Sequence, residues 1–161
     1  MIVIVMGVVG AGKTTIGKLL ASDLGWQFAD ADDFHPMSNV EKISHGIPLT
    51  DEDREPWLDR LRGAILEWIA DGQSTVLACS ALKRSYRAML QVDPQVRFVY
   101  LKGSAELIAE RLKGRQGHFA GEAILASQLT DLEEPEAALK VDVSDTPEHI
   151  VNRIRKALSL G

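Results

Sequence analysis

The residues most able to do chemistry form the glycine-rich segment 7–14, which follows the apolar run Ile2–Met6. The pattern Gly-x4-Gly-Lys-Thr, placed between a strand and a helix, is typical of the loop (P-loop) that binds nucleotide phosphates. Its glycines let backbone N–H groups turn toward a triphosphate, and the helix start adds partial positive charge. Lys13 would neutralise the β- and γ-phosphates, while the Thr14 hydroxyl would complete a Mg²⁺ shell. The residues predicted to bind the nucleoside triphosphate are Gly7, Val8, Val9, Gly10, Ala11, Gly12, Lys13, Thr14 and Thr15.

Three carboxylates, Asp30, Asp32 and Asp33, lie where the second predicted strand ends. Open α/β sheets bind their ligands at the carboxyl ends of parallel strands. If the strand persists, Asp30 and Asp32 point to one side and Asp33 points to the other. One carboxylate could orient Mg²⁺ through water while a neighbour accepts a proton from a substrate hydroxyl. The alternative is an acidic turn that caps the next helix.

Cationic side chains follow at comparable points of the chain. Arg54 begins the predicted long helix, while Lys83 and Arg87 come after the third strand at helical i,i+4 spacing. That spacing puts Lys83 and Arg87 on one helix face, where the pair could hold an anionic substrate group. The alternative is that these cations are only solvated surface residues.

The segment 113–121 combines three glycines with two cations and His118, between two helical patterns. A mobile lid that folds over bound nucleotide needs this mixture of hinge and charge, although a plain surface connection would also be glycine-rich. Arg111 and Arg115 flank the start of the segment. Both could stabilise the negative charge that spreads over a migrating phosphoryl group.

The elements that would position these residues follow from the hydrophobic pattern. Continuous apolar runs indicate strands that are covered on both faces, and stripes with a helical period separate them. Strands that alternate with helices predict an α/β protein with a parallel sheet and right-handed crossovers. The predicted strands are Ile2–Met6, Trp26–Ala29, Thr75–Ala78, Val96–Leu101 and Leu139–Val143.

Two helix starts carry local signals. Thr50 and Asp53 form a potential capping box ahead of the long helix, and Thr146-Pro147 begins the last helix. Trp57 and Trp68 lie on the apolar stripe of the long helix, so we expect them to pack in the core. A ligand-stacking role is the alternative.

Composition limits the classes of function. At 161 residues the chain fits one domain, and its net charge of −5 without a long basic block argues against nucleic-acid binding. The single cysteine, Cys79, excludes an internal disulfide and suits a reducing cytosol. We expect it to be a small buried residue rather than a nucleophile.

Neither a membrane segment nor a histidine metal site is predicted. The N-terminal apolar run is too short to cross a bilayer and lacks the flanks of a signal peptide, so we expect a cytoplasmic protein that does not contact membranes. The four histidines are scattered along the chain.

Several longer segments narrow the choice among nucleotide enzymes. They are Asp30-Ala-Asp-Asp-Phe-His-Pro36, Gly46-Ile-Pro-Leu-Thr-Asp-Glu-Asp-Arg54 with Pro56-Trp57-Leu58, and Cys79-Ser-Ala-Leu-Lys83. With the P-loop, they make the chain resemble the gluconate kinases (gluconokinases), which are small P-loop kinases related to shikimate and adenylate kinases. The resemblance runs from Val5 to about Pro135. These segments are much more specific than the P-loop, which many unrelated enzymes share.

The resemblance implies ATP-dependent phosphorylation of D-gluconate at its 6-hydroxyl, which gives 6-phosphogluconate. It implies a single P-loop kinase domain over residues 1–161, with a three-layer fold, a five-stranded parallel sheet, helices on both faces and a mobile lid at about 113–121. ATP would be the co-substrate, and Thr14 would bind Mg²⁺ with Asp30 acting through water. Members of this family often form homodimers.

The resemblance also assigns roles to matching positions. Lys13 and Asp32 become candidate catalytic residues, with Asp32 as the base near the 6-hydroxyl. Arg111 and Arg115 match lid arginines that meet ATP phosphates or adenine. The candidate residues for binding gluconate are Asp32, His35, Arg54, Lys83, Arg87, His118 and Gln128.

Two other functions remain as alternatives. The first is another small-molecule kinase, such as a shikimate or nucleoside monophosphate kinase, although shikimate kinases are expected to carry a glycine triplet where this chain has Cys79-Ser-Ala-Leu-Lys83. The second is a nucleotide-binding switch without a small substrate. A switch would not need a hydroxyl-activating carboxylate such as Asp32.

Overall fold

The structure, a computed structural model, describes residues 1–113 and 118–160, and the side chains of residues 118–123 lie outside that description. Five strands form one fully parallel sheet in the order β2-β3-β1-β4-β5, which confirms the predicted α/β class and strand number. The strands are β1 (Ile2–Met6), β2 (Gln27–Asp30), β3 (Thr75–Ala78), β4 (Val96–Lys102) and β5 (Leu139–Asp142).

Each strand is followed by one or more helices along the chain. They are α1 (Lys13–Leu24), α2 (Met37–Ser44), α3 (Asp51–Ala70), α4 (Arg84–Leu90), α5 (Ala105–Lys113), α6 (His118–Asp131) and α7 (Pro147–Ala157), and a 3-10 turn spans Ala31–Phe34. Among the described residues, none of the helices combines the length and the apolar character that crossing a bilayer requires.

Two hydrophobic layers enclose the sheet and account for its continuous apolar strands. Val3 and Val5 of β1 pack in one layer with residues of α1, α5 and α7. Ile2, Ile4 and Met6 face the opposite way and pack with residues of α3 and α4. All five side chains are fully buried, because a strand covered on both faces has no solvent side. The three-layer architecture is therefore confirmed.

Local signals at the helix ends act as predicted. The Thr50 hydroxyl accepts a hydrogen bond from the Asp53 N–H, and the Asp53 carboxylate accepts one from the Thr50 N–H, which completes the capping box of α3. Thr146 caps α7 through its hydroxyl, with Pro147 in the first turn. These contacts fix where α3 and α7 begin.

The central position of β1 places the glycine-rich loop in the middle of the carboxyl edge of the sheet. Gly10 has a φ of 83° and lies against Leu112, so a side chain there would be strained and would also collide with α5. The neighbouring strand β3 ends at Ala78. The glycine-rich loop contacts the segment that follows β3, because the Gly7 N–H donates to the Ser80 carbonyl. The ends of β1, β3 and β2 therefore surround one crevice.

Two expectations about the elements need correction. Lys83 is not part of a helix with Arg87, because α4 begins at Arg84 and Lys83 precedes it with an extended backbone. The connection expected over residues 113–121 is shorter, since α6 begins at His118. Residues 114–117 lie outside the described part of the chain, so the proposed lid itself stays a prediction.

Candidate active site

Two adjoining cavities open at the carboxyl edge of the sheet. The loop cavity, of about 150 Å³, is formed by the glycine-rich loop, Asp30 and the end of β3. The His35 cavity, of about 120 Å³, lies next to it between α2, α3 and α6. Within the described part of the chain, four residues line both cavities: Val9, Lys13, Asp32 and Ser80. A ligand in the loop cavity and a ligand in the His35 cavity would therefore contact the same four residues.

Two side-chain hydrogen bonds help to hold the glycine-rich loop in place. The Lys13 ammonium donates to the Val8 carbonyl at 2.9 Å. The Val9 N–H donates at 2.6 Å to the side-chain carbonyl oxygen of Gln128 on α6. The second contact joins the loop to the helix that forms one wall of the His35 cavity, so α6 and the loop are physically coupled.

Thr14 and Asp30 bring two oxygen ligands together at the start of α1. The Thr14 hydroxyl donates to one Asp30 carboxylate oxygen at 3.3 Å, and the other Asp30 oxygen accepts from the Asp32 N–H at 2.9 Å. Among the described residues, no three His, Cys, Asp or Glu side chains are grouped to hold a metal. A few protein oxygens beside a phosphate cavity fit Mg²⁺, which keeps several waters and takes other ligands from substrate phosphates.

Asp32 lies between the two cavities, with its side chain 82% exposed. The pKa of Asp32 is raised, first because the walls of the crevice reduce its solvation and second because the Asp30 carboxylate is near. Lys13 acts in the opposite direction. Water still reaches the carboxylate through the crevice mouth, so the group is both accessible and more basic than an ordinary surface aspartate.

His35 forms the inner wall of the cavity named after it. Its side chain is only 4% exposed and its ring stacks on Trp57, with centroids 4.5 Å apart and an interplanar angle of 13°. Burial and the nearby Arg54 charge lower the pKa of His35 to about 4, so the ring is neutral at pH 7. The indole N–H of Trp57 donates to the Ala31 carbonyl at 2.7 Å, which ties the stack to the turn that carries Asp32.

Arg54 is a buried cation that lines the same cavity. One guanidinium nitrogen donates to the Tyr86 hydroxyl at 3.0 Å and to the Asp131 carboxylate at 3.1 Å. Since Asp131 ends α6, this ion pair fastens α6 to α3 beside the cavity. The guanidinium is thus fixed in place where an anionic group of a ligand could meet it.

The structure does not bring Lys83 and Arg87 together as an anion site. Lys83 pairs with Asp51 at 2.8 Å. The Arg87 guanidinium donates to the carbonyls of Ala81, Leu82 and Glu133 at 2.7–3.1 Å. Neither side chain lines the two cavities, so their role in substrate binding stays a prediction.

Three further predicted residues lie on or near the proposed lid. Arg111 donates to the Val143 carbonyl at 2.6 Å, on the loop after β5. Arg115 lies outside the described residues. His118 begins α6, but its side chain also lies outside the description. The proposed contacts of these residues with ATP or gluconate stay predictions.

Cys79 is confirmed as a buried residue. Its side chain is at the end of β3, and burial raises the pKa of the thiol to about 12. A thiol that stays protonated is a poor nucleophile, so this residue packs rather than reacts.

Sequence reasoning missed Asn39, which is 1% exposed and bonded to His35. It also missed Ile124 and Ser127, which line the His35 cavity on α6 beside the predicted Gln128. No local pattern marks Asn39 or Ile124, since their partners lie on other elements. Trp57 is in the core as expected, and the stacking partner it contacts is a protein side chain, His35.

Comparison with known proteins gives consistent matches over nearly the whole chain. The shikimate kinase family model matches residues 9–159. A gluconokinase of Arabidopsis thaliana is 44% identical, in an alignment that covers 95% of this chain and 89% of the relative. The crystal structure of a Janibacter sugar kinase is 43% identical with a TM-score of 0.92, covering 99% of this chain and 95% of that one. The structure of a gluconokinase from Sinorhizobium meliloti is 40% identical with a TM-score of 0.82, covering 98% and 94%.

Proposed function

Since this chain belongs to the gluconokinases, within the shikimate kinase family of P-loop enzymes, we propose that it transfers the γ-phosphoryl group of ATP to gluconate. The phosphoryl group goes to the 6-hydroxyl and gives 6-phosphogluconate and ADP. The alternative of a shikimate or nucleoside monophosphate kinase is not favoured, because relatives at 39–46% identity are gluconokinases.

The wall shared by the two cavities is the observation that carries this proposal. A donor phosphate in the loop cavity and an alcohol in the His35 cavity would meet at Val9, Lys13, Asp32 and Ser80. Phosphoryl transfer depends mainly on such in-line positioning and on charge stabilisation. A nucleotide switch would have no use for a second cavity at this position.

The transfer step follows from the groups at this wall. The alcohol oxygen forms a bond to the γ-phosphorus as the bond from phosphorus to the β–γ bridging oxygen breaks, and ADP leaves. Asp32 accepts the hydroxyl proton, and its raised pKa favours this role. Lys13 offsets the negative charge that develops on the transferred group. Mg²⁺, held by Thr14 and through water by Asp30, would neutralise charge on the β- and γ-phosphates.

Gluconate binding would use the polar groups of the His35 cavity. Arg54 offers a fixed positive charge for a carboxylate, while His35, Asp32 and Gln128 offer partners for hydroxyl groups. The roles of Lys83, Arg87, Arg111, Arg115 and His118 and the formation of a homodimer rest on the family resemblance. A cytoplasmic location rests on the single cysteine and on the short N-terminal apolar run.

A coupled assay of ADP release tests the proposal. We expect Mg²⁺-dependent turnover with gluconate, and little or none with shikimate, nucleoside monophosphates or ATP alone. The Lys13→Ala variant should lower turnover by at least about 10²-fold, because one donor to the transition state is lost. Its circular dichroism and unfolding temperature serve as the control for folding.

Two outcomes would contradict the proposal. Turnover on another acceptor with none on gluconate would assign a different substrate to the same site. Wild-type turnover by folded Lys13→Ala protein would remove the loop lysine from the mechanism.

A further inference from the structure

His35 has two ring nitrogens, and only one of them faces the cavity. The Nε2 atom lies 3.9 Å from a carboxylate oxygen of Asp32, while Nδ1 faces the buried side chain of Asn39 at 3.1 Å. Because a neutral ring carries one proton, the nitrogen that holds it decides whether the cavity presents a donor or an acceptor.

The contacts of Asn39 determine the answer. Its amide nitrogen Nδ2 lies 2.7 Å from the backbone carbonyl of Asp53, which can only accept a hydrogen bond. The atom at this position must therefore be the NH₂ group and not the amide oxygen. The same NH₂ group contacts His35 Nδ1, and since NH₂ only donates, Nδ1 must accept.

We propose that Asn39 is a positioning residue, which holds His35 as the tautomer with its proton on Nε2. We further infer that His35 and Asp32 together bind one hydroxyl group of the substrate. This second part rests on the proposed function, whereas the tautomer follows from the protein contacts alone.

The distance between His35 and Asp32 suits a shared alcohol. At 3.9 Å, Nε2 is too far from Asp32 for a direct hydrogen bond, so its N–H remains available. One oxygen can lie within hydrogen-bond reach of both groups. A hydroxyl would donate its proton to Asp32 and accept from the His35 Nε2–H, whereas an ammonium group has no lone pair for His35.

The surroundings of His35 keep it neutral and in this orientation. Stacking on Trp57 of α3 fixes the plane of the ring. Among the described residues, the charged groups that line the cavity are Asp32 on the 3-10 turn, Arg54 on α3 and Lys13 on the loop. The described residues of α6 at the cavity are uncharged, and α2 contributes the neutral amide of Asn39.

Nitrogen-15 NMR of the imidazole rings in the intact protein tests the tautomer directly, with the His35 signals assigned by their loss in His35→Gln. We expect a proton on Nε2 and none on Nδ1 at every pH between about 5.5 and 8. A proton on Nδ1, or a ring that titrates near its ordinary pKa, would overturn the assignment, whether or not gluconate is turned over.

The variant Asn39→Asp tests the role of the amide. A carboxylate at this position would accept from Nδ1–H, so the neutral ring would present a bare Nε2 to the substrate, and only the charged ring would still donate. We therefore expect the ratio of the variant's kcat/KM for gluconate to the wild-type value to be about tenfold lower at pH 8 than at pH 6, since one substrate hydrogen bond is lost.

Ser38→Asp is the matched control, because it adds the same charge at an exposed neighbouring position of α2. It should keep the wild-type pH profile. If Asn39→Asp also kept the wild-type profile, or if Nδ1 stayed unprotonated in it, the positioning role would be refuted. If Asn39→Asp does not fold, the NMR result on the wild-type protein still decides the proposal.

Discussion

Among the described residues, Asp32 is the one carboxylate that borders both cavities, and we propose that proton transfer depends on it. We expect Asp32→Asn to lower kcat by about 10²-fold or more, in the usual range for loss of a general base, with a smaller change in KM for gluconate. Steady-state kinetics with saturating ATP would measure both constants.

Asp33 offers a matched control for Asp32. It is the next residue on the same 3-10 turn and is exposed, but it lines neither cavity. Asp33→Asn should therefore keep kcat within about twofold of wild type, as expected for a surface change away from the reacting groups. Equal losses in both variants would point to a general effect of charge on the turn rather than to proton transfer by Asp32.

His35 should make the stability of the protein depend on pH. The pKa of His35 is about 4 in the folded protein, against an ordinary value of 6.5, so between these values the unfolded chain binds more protons. The stabilising contribution is complete above pH 6.5 and is lost as the pH falls toward 4. The integrated loss is about 3 kcal/mol for a shift of this size.

Urea unfolding at pH 7 and pH 4.5 would measure this effect. Wild-type protein should lose more of its free energy of unfolding on acidification than His35→Gln does. His45→Gln serves as the control, because it removes an exposed histidine instead of a buried one. A His35→Gln protein that lost as much stability as wild type would contradict the assigned pKa.

Site residues were predictable from the sequence where their positions follow from neighbouring elements of the chain. They were poorly predictable where their contacts come from residues far away in the sequence. Lys13, Thr14 and Asp30 converge because strand, loop and helix follow each other along the chain. Lys83 and Arg87 were paired by their spacing, yet each found its partners on other segments. Tertiary hydrogen bonds of this kind leave no periodic signal.

At the scale of elements, α3 and α6 form two walls of the His35 cavity. The capping box fixes the first turn of α3, and the Asp53 in that box also pairs with Lys42 of α2 at 2.8 Å. These hydrogen bonds hold the pKa of Asp53 at about 2. One carboxylate thus connects two helices, and the carbonyl of the same residue holds Asn39.

A glycine in the middle of α3 allows a test of how much this helix contributes to stability. Gly63 is exposed in the middle of α3, and an added Cβ would meet nothing within 4 Å. Gly63→Ala should raise the free energy of unfolding by about 0.5–1 kcal/mol, because alanine is the better helix former. Chemical denaturation would measure the gain, with activity unchanged.

Gly17 gives the contrasting variant. An added Cβ there would lie 2.7 Å from the ring of Phe28 on β2, so α1 would have to move off the sheet or the ring would have to shift. Gly17→Ala should therefore fail to show the gain expected for Gly63→Ala. Equal stabilisation in both variants would mean that the contact between α1 and β2 is looser than the structure indicates.

Strands and helices were predictable because burial on two faces and helical stripes are strong local patterns. The exact first residues of α4 and α6 could not be predicted in this way. Lys83 keeps an extended backbone, where its side chain pairs with Asp51 of α3. Such a choice depends on packing between elements that are far apart in sequence.

At the scale of the whole molecule, one sheet separates two hydrophobic layers. The layer with α7 lies on the opposite side of the sheet from α3, which carries Arg54 and Trp57. The layers share the same five strands, so we expect them to unfold together as a single cooperative unit.

Ile154 tests this cooperativity. It is a fully buried residue of α7, remote from both cavities. Ile154→Ala should lower the free energy of unfolding by about 2–5 kcal/mol, as buried truncations do, and leave kcat unchanged below the unfolding transition. Fluorescence and circular dichroism should report one coincident transition. Two separate transitions would show that the layers fold independently.

The boundary formed by Val9, Lys13, Asp32 and Ser80 also offers an approach to inhibition. A single compound with a polyphosphate head and a polyhydroxy-acid tail would span both cavities without leaving the protein surface. Once the head is seated, the tether would supply the tail at an effective concentration of about millimolar. Such a two-headed compound should bind more tightly than either fragment, and it should spare nucleotide enzymes that have no neighbouring sugar-acid pocket.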